Sequence, residues 1–174
     1  MGLMKIIGCI MVILSSAGMG FYLSNEMRCR IADLKELKKI IGLLKGDIRY
    51  GNTPLPEAIH AIQRRHEGNY KVFLKHVSTK LNELSGQTFT EIWKAETETG
   101  LADTSLSKKD KLQLSAFGEN LGYLDKEMQM NTFELYLSQL EETILDLSKT
   151  VKEKTYMFNT LGIMAGIFIT IIMV

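Results

Sequence analysis

The stretch "MNTFELYLSQLEETILDLSKTV", Met130 to Val151, decides how the rest of this chain is read. Met130, Phe133, Leu137, Leu140, Ile144, Leu147 and Val151 alternate steps of three and four residues. That spacing puts all of them on one side of an α-helix as a heptad seam. The register continues through Phe158, Leu161, Ala165, Phe168 and Ile172, so the pattern predicts one helix of about 50 residues. Its seam is open to pairing within the chain or between chains.

A second helix of the same kind lies near the other end. Met27, Leu34, Ile41 and Ile48 recur every seven residues, with Leu37 and Leu44 between them. Gly42 and Gly46 stand one turn apart in this helix. Glycine costs about 1 kcal/mol in a helix interior, so their presence predicts the close approach of a neighbouring helix. The segment from Ser24 to Tyr50 has seven basic and four acidic residues, and that from Leu101 to Tyr156 has seven basic and ten acidic. A basic first helix and an acidic last helix favour antiparallel pairing.

Between them the chain turns a firm corner at "YGNTPLPEAI", Tyr50 to Ile59. Gly51 is expected to take the left-handed conformation that ends a helix. Thr53 is a candidate N-cap, and Pro54 suits the first helical position, with Pro56 still inside the first turn. Leu55, Ala58, Ile59 and Ile62 then form an apolar face. Shorter helices follow. Tyr70, Phe73, Leu74, Val77, Leu81 and Leu84 make one stripe, stopped by Gly86. Thr88 can cap a segment carrying Phe89, Ile92 and Trp93 that stops near Gly100. Ser107 with Asp110 has the spacing of a capping box and opens a helix through Leu114, Phe117 and Leu121. Strand signals, meaning sustained alternation or β-branched runs bounded by turns, are nearly absent. The fold class expected is all-α.

The average composition, 45% apolar and 24% charged, hides two uncharged ends: Ile6 to Ser24 and Thr155 to Val174. Each approaches the ~20 residues needed to cross a bilayer core as a helix. The expected organisation is a transmembrane helix over 5–24, a cytoplasmic all-helical domain over 25–154 and a transmembrane helix over 155–174. No small-x-small cleavage site with a polar start follows the first run, and the apolar segment before Cys9 is too short for a lipoprotein signal. Basic residues flank the inner ends of both runs: Arg28, Arg30, Lys35, Lys38 and Lys39 after the first, and Lys149, Lys152 and Lys154 before the second. By the positive-inside rule this places the middle in the cytoplasm. Cys9 and Cys29 provide no disulfide framework.

Catalytic chemistry is not legible. No phosphate-binding G-x-x-x-x-G-K loop occurs. His60, His66 and His76 lack the H-E-x-x-H spacing of a zinc site and read as ordinary, partly exposed residues. Glu57, Glu119 and Asp125 read as carboxylates near helix starts, where the dipole favours them, and Met128 and Met130 as core or seam residues. A net charge of +1 without a concentrated basic stripe argues against nucleic acid. Neither a cofactor nor a small-molecule substrate is expected. In "FGENLGYLDKEMQ", Gly118 and Gly122 again stand one turn apart, and Asp125 can cap the helix that follows. The spacing of Asp125 and Gln129 lets them face outward together.

These residues carry a resemblance. "IRYGNTPLPEA", Trp93, "FGENLG" with Asp125 and Gln129, and "LGIMAG" at Leu161 to Gly166 resemble the stage III sporulation protein AB family over nearly the whole chain. The family is similar in turn to the inner-membrane platform proteins of type II secretion and type IV pilus systems. The resemblance implies a mother-cell membrane protein facing the forespore, part of the channel complex between the two cells. It implies as partners the sporulation ATPase, other membrane components of that complex and the lipid bilayer, with homo-oligomerisation possible. Glu57, Asp125 and Gln129 are the candidate partner-interface residues. Gly51, Thr53, Pro54, Leu55, Pro56, Trp93, Gly118 and Gly122 stand as the structural motif. The alternative is a membrane-tethered coiled-coil signalling or adaptor dimer.

Overall fold

The computed structural model describes the backbone of residues 2–83, 86–122 and 125–173, with side chains from Asn25 to Met157 within those ranges and at Thr160 and Met164. Among the described residues six helices follow in order: α1 Gly2–Arg49, α2 Leu55–Arg65, α3 Lys71–Asn82, α4 Phe89–Thr99, α5 Lys108–Leu121 and α6 Lys126–Met173. Among the described residues there is no strand. The chain divides into two compact units: Met1–Ile31 with Leu145–Val174, and Ala32–Ile144.

The second unit holds the core. Leu34, Leu37, Ile40, Ile41, Leu44 and Ile48 of α1 are buried, as are Phe133, Tyr136, Leu140 and Ile144 of α6. Both heptad readings therefore find their core faces, although Leu137 is only half-buried and Ile40 and Tyr136 join beside the seam. The two helices run antiparallel within one chain. Lys38 Nζ lies 3.2 Å from Glu141 Oε2, and seven residues further along α1, Lys45 Nζ lies 3.0 Å from Glu134 Oε1. The Glu134 carboxyl is held below its usual range, first by the hydrogen bond from Lys45 and then by that lysine's charge. These pairs are exposed, so each contributes ~0–1 kcal/mol; they orient the pair more than they stabilise it.

Helices α2 to α5 stack in chain order, α2 on α3, α3 on α4 and α4 on α5. Capping boxes open α4 at Thr88–Glu91 and α5 at Ser107–Asp110, each with both reciprocal bonds made. At the corner the sequence expectation shifts by one residue. Pro54, at φ −57° and ψ 146°, is the N-cap of α2, Leu55 is its first residue, and no side chain caps it. With the helix opening at Leu55, Thr53 stands one place too early to cap. The left-handed residue is Asn52, at φ 49°, not Gly51. Gly51 is required sterically instead: a Cβ there would lie 2.6 Å from the Asp47 carbonyl oxygen and 2.9 Å from Thr53 Oγ1.

Other expectations also change. A Cβ at Gly42 or Gly46 would meet nothing within 4 Å, so no described residue packs against either glycine. Met128 is 52% exposed, because the seam of α6 begins one turn later. Helix α3 ends at Asn82, short of Gly86, which takes φ 77° in the following loop. Glu119 lies in the last turn of α5 and not near a helix start, 3.8 Å from Lys94. Leu84 lies outside the described residues.

The membrane expectation is also corrected. Residues 5–24 and 155–173 are helical as parts of α1 and α6, but most of their side chains lie outside the described residues. Among the described residues no helix is long and apolar enough to cross a membrane, which overturns the placement of this chain as a multi-pass membrane protein. The physical reason is charge: beyond Asn25 in α1 and up to Lys154 in α6, no uncharged stretch exceeds six residues, where a span needs ~20 mostly apolar residues.

Candidate partner-docking site

Two clusters gather the residues singled out in the sequence. The first is the α4–α5 contact. Gly118 lets α5 settle on the Trp93 indole: a Cβ there would lie 2.0 Å from Trp93 Cδ1 and 2.4 Å from Cγ. Gly122 continues that face against Thr90, whose Oγ1 would be 2.7 Å from an added Cβ. Trp93 Nε1–H donates to the Leu114 carbonyl at 2.8 Å, one turn before Gly118. The indole also anchors a chain of rings, with Phe73 at 5.1 Å and Phe89 at 5.4 Å from it. Phe117 continues the chain to Phe133 and, stacked at 4.5 Å, to Tyr136. Trp93, Gly118 and Gly122 thus form one packing device linking α3, α4, α5 and α6.

The Tyr136 hydroxyl has no hydrogen-bond partner among the described residues though the residue is buried. Burial raises its phenol well above the ordinary tyrosine range, and it does the same at Tyr70. A phenol whose folded pKa is raised retains its proton while the unfolded chain loses it, so stability is full below the unfolded value near 10 and falls as pH rises above it. Tyr136→Phe is expected to leave stability at neutral pH unchanged or raise it by up to ~1 kcal/mol, because no bond is lost and an unsatisfied buried hydroxyl is removed. The variant should also unfold less readily in alkali. Urea melts at pH 7 and pH 10.5 check both.

The second cluster lies where the corner meets the start of α6. Ile48, Asn52, Thr53, Pro54, Leu55, Lys126 and Gln129 line a pocket of about 250 Å³. The left-handed turn at Asn52 points its amide carbonyl to the Lys126 ammonium, which donates a hydrogen bond to it. Gln129 Nε2 donates to the Leu121 carbonyl at 3.1 Å, closing the end of α5 onto α6. Asp125 is exposed, and its Oδ1 accepts from the Met128 N–H at 2.9 Å as the cap of α6. Gln129 is therefore partly turned inward, and it does not share an outward face with Asp125. Glu57 is exposed in the first turn of α2. Of the three interface candidates, only Gln129 lines the pocket. The surface offers an apolar floor, one ammonium and amide groups, a composition suited to a side chain of a partner protein. Among the described residues no three His, Cys, Asp or Glu side chains gather to hold a metal.

Two buried acids, Asp33 and Glu96, escaped the sequence reading. Asp33 is a hub: Asn69 Nδ2–H donates to its Oδ1 at 2.8 Å and the Ser105 N–H to its Oδ2 at 2.6 Å. Tyr70 adds a bond to its carbonyl at 3.0 Å. Glu96 is buried against Lys80 at 2.7 Å and His76 at 3.0 Å. Asp110 is buried within its capping box. The signal was positional: Asp33 shares the face of Leu37 and Ile40, and Glu96 that of Ile92 and Trp93. His66 likewise meets Glu36 at 2.7 Å, while His60 is exposed.

Comparison with known proteins gives one consistent result. The family model described as Stage III sporulation protein AB matches residues 5–174. A curated relative, Stage III sporulation protein AB of Bacillus subtilis (strain 168), is 24% identical over 171 residues, covering 98% of this chain and 99% of the relative. A solved structure of a Stage III sporulation protein AB superposes with a TM-score of 0.65 at 25% identity, covering 71% of this chain and 97% of that one.

Proposed function

We propose, from the premise that this chain belongs to the stage III sporulation protein AB family, that it is a non-catalytic scaffold of the channel complex joining mother cell and forespore. In that reading the helical unit docks the sporulation ATPase and couples it to the other components of the channel. The observation that carries the reading is the meeting of the two conspicuous motifs, the proline corner and the start of α6, around one pocket. The corner is built from rigid parts: two prolines in or before the first turn of α2, a sterically obligatory glycine and a single left-handed asparagine. Such parts preserve a surface shape, which lowers the entropy lost when a partner binds. Glu57 and Asp125 are proposed as charged rim contacts and Gln129 as part of the floor.

The test separates docking from folding. Asp125→Ala removes a cap from α6 and is expected to cost ~0.5–2 kcal/mol. Combined with Gln129→Ala it should weaken ATPase capture from sporulating cells and block sporulation while the far-ultraviolet circular dichroism stays helical. A double variant that folds, captures the ATPase normally and supports sporulation removes both residues from the interface.

A further inference from the structure

The α1 face opposite the core has no neighbour at its two glycines among the described residues. It carries Lys35 and Lys39, then Gly42 with Leu43, then Gly46 and Tyr50, all within a narrow arc of the helix. Leu43 is 45% and Tyr50 81% exposed, and space is open at both glycines. Lys35 and Lys39 make no ion pair among the described residues. The outer face of α6 shows the opposite character. Leu135 is 63% exposed there, and Glu142, seven residues on, is exposed and likewise without an ion pair among the described residues.

We infer that two copies of this chain associate through these faces, the outer face of α1 in one copy against the outer face of α6 in the next. The occupant follows from charge and spacing together. With the helices antiparallel, setting Leu135 of the second copy into the gap left by Gly42 brings its Glu142 opposite Lys35, because each step is seven residues. The same step of seven relates Lys38–Glu141 to Lys45–Glu134 inside one chain, so the contact between copies repeats the geometry of the pair within each. The glycines remove the side chains that would hold the second helix away, which gives their helix-propensity cost a physical return. A contact that joins two different faces is head-to-tail: copies stand side by side in the same orientation, and a pair leaves the α6 face of one copy and the α1 face of the other free. Such a contact builds a ring or a row and not a closed two-fold dimer.

The full-length chain tests this directly. Lys39→Cys in one tagged copy and Ser138→Cys in another, both lacking Cys9 and Cys29, should form a disulfide-linked pair on mixing, and neither should form one with itself. Lys35→Glu should raise the dissociation constant in sedimentation roughly ten-fold or more, and Lys35→Glu with Glu142→Lys in the same chain should restore it. Both are surface changes, so melting curves should match the parent. Monomers at every concentration, a crosslink between two copies of the Lys39→Cys variant in place of the mixed one, or a double charge swap no better than the single would overturn the inference. ATPase capture by the Lys35→Glu variant reads the corner site separately, so failure of self-association leaves the docking proposal standing.

Discussion

Gly118→Ala should destabilise the helical unit by about 2–3 kcal/mol, at the upper end of what overpacking a close-packed core costs. Two effects oppose each other. Alanine is favoured over glycine in a helix interior by about 1 kcal/mol. Against this, the new Cβ would fall 2.0 Å from Trp93 Cδ1, with two further indole atoms at 2.4 Å. The far end of a flexible side chain would swing away; this indole has nowhere to go. Phe73, Phe89 and Phe117 surround it, and its N–H is tied to the Leu114 carbonyl. The clash therefore wins, and relief must come from α5 moving off α4. Trp93 is the only tryptophan, so its fluorescence reports the site itself: the emission should shift to the red as water reaches the ring, and the urea midpoint should fall. Gly42→Ala is the matched control. Space within the chain is open there, so in the monomer propensity alone acts and the chain should gain roughly 0.5–1 kcal/mol. Equal behaviour of the two variants would refute the packing account.

Asp33→Ala is expected to have the largest effect, about 3–5 kcal/mol. The carboxylate accepts from Asn69 and from the Ser105 backbone in a site only 4% exposed. Hydrogen bonds to a charged group are worth about 1.5–3 kcal/mol each, and the loss leaves the Ser105 donor without its acceptor. Those bonds tie α1 to the loop before α3 and to the loop before α5, so amide exchange should quicken in both loops together. Asp33→Asn keeps one acceptor oxygen but turns an NH₂ toward a donor, and should fall between the parent and alanine. A variant Asp33→Ala with an unchanged midpoint and unchanged exchange would show that water replaces the carboxylate at no cost.

Much of this protein is set by local rules that operate on any chain of this sequence. The three–four spacing from Met130 to Val151 and the seven-residue recurrence from Leu34 to Ile48 define which side of α6 and α1 must leave water, and burial follows that period at Leu34, Ile41, Phe133 and Leu140. Ser107 with Asp110, and Thr88 with Glu91, close their capping boxes because a hydroxyl and a carboxylate three residues apart need only their own first turn to do so. What tertiary structure alone decided is what each small or polar residue faces. Gly42 with Gly46 and Gly118 with Gly122 share one spacing, yet the second pair lies under α4 and the first has open space. The spacing provides room for a neighbour; only the path of the chain brings one. Asp33 and Glu96 lie on core-facing sides of their helices, but their partners, Ser105 for the one and Lys80 with His76 for the other, are distant in sequence and arrive only when the loops and helices stack. The left-handed bend falls at Asn52 and not at Gly51, where the Asp47 carbonyl and the Thr53 hydroxyl leave no room for a Cβ. The corner was visible in two prolines, but its pocket required α6 to return alongside α1 and set Lys126 and Gln129 against it.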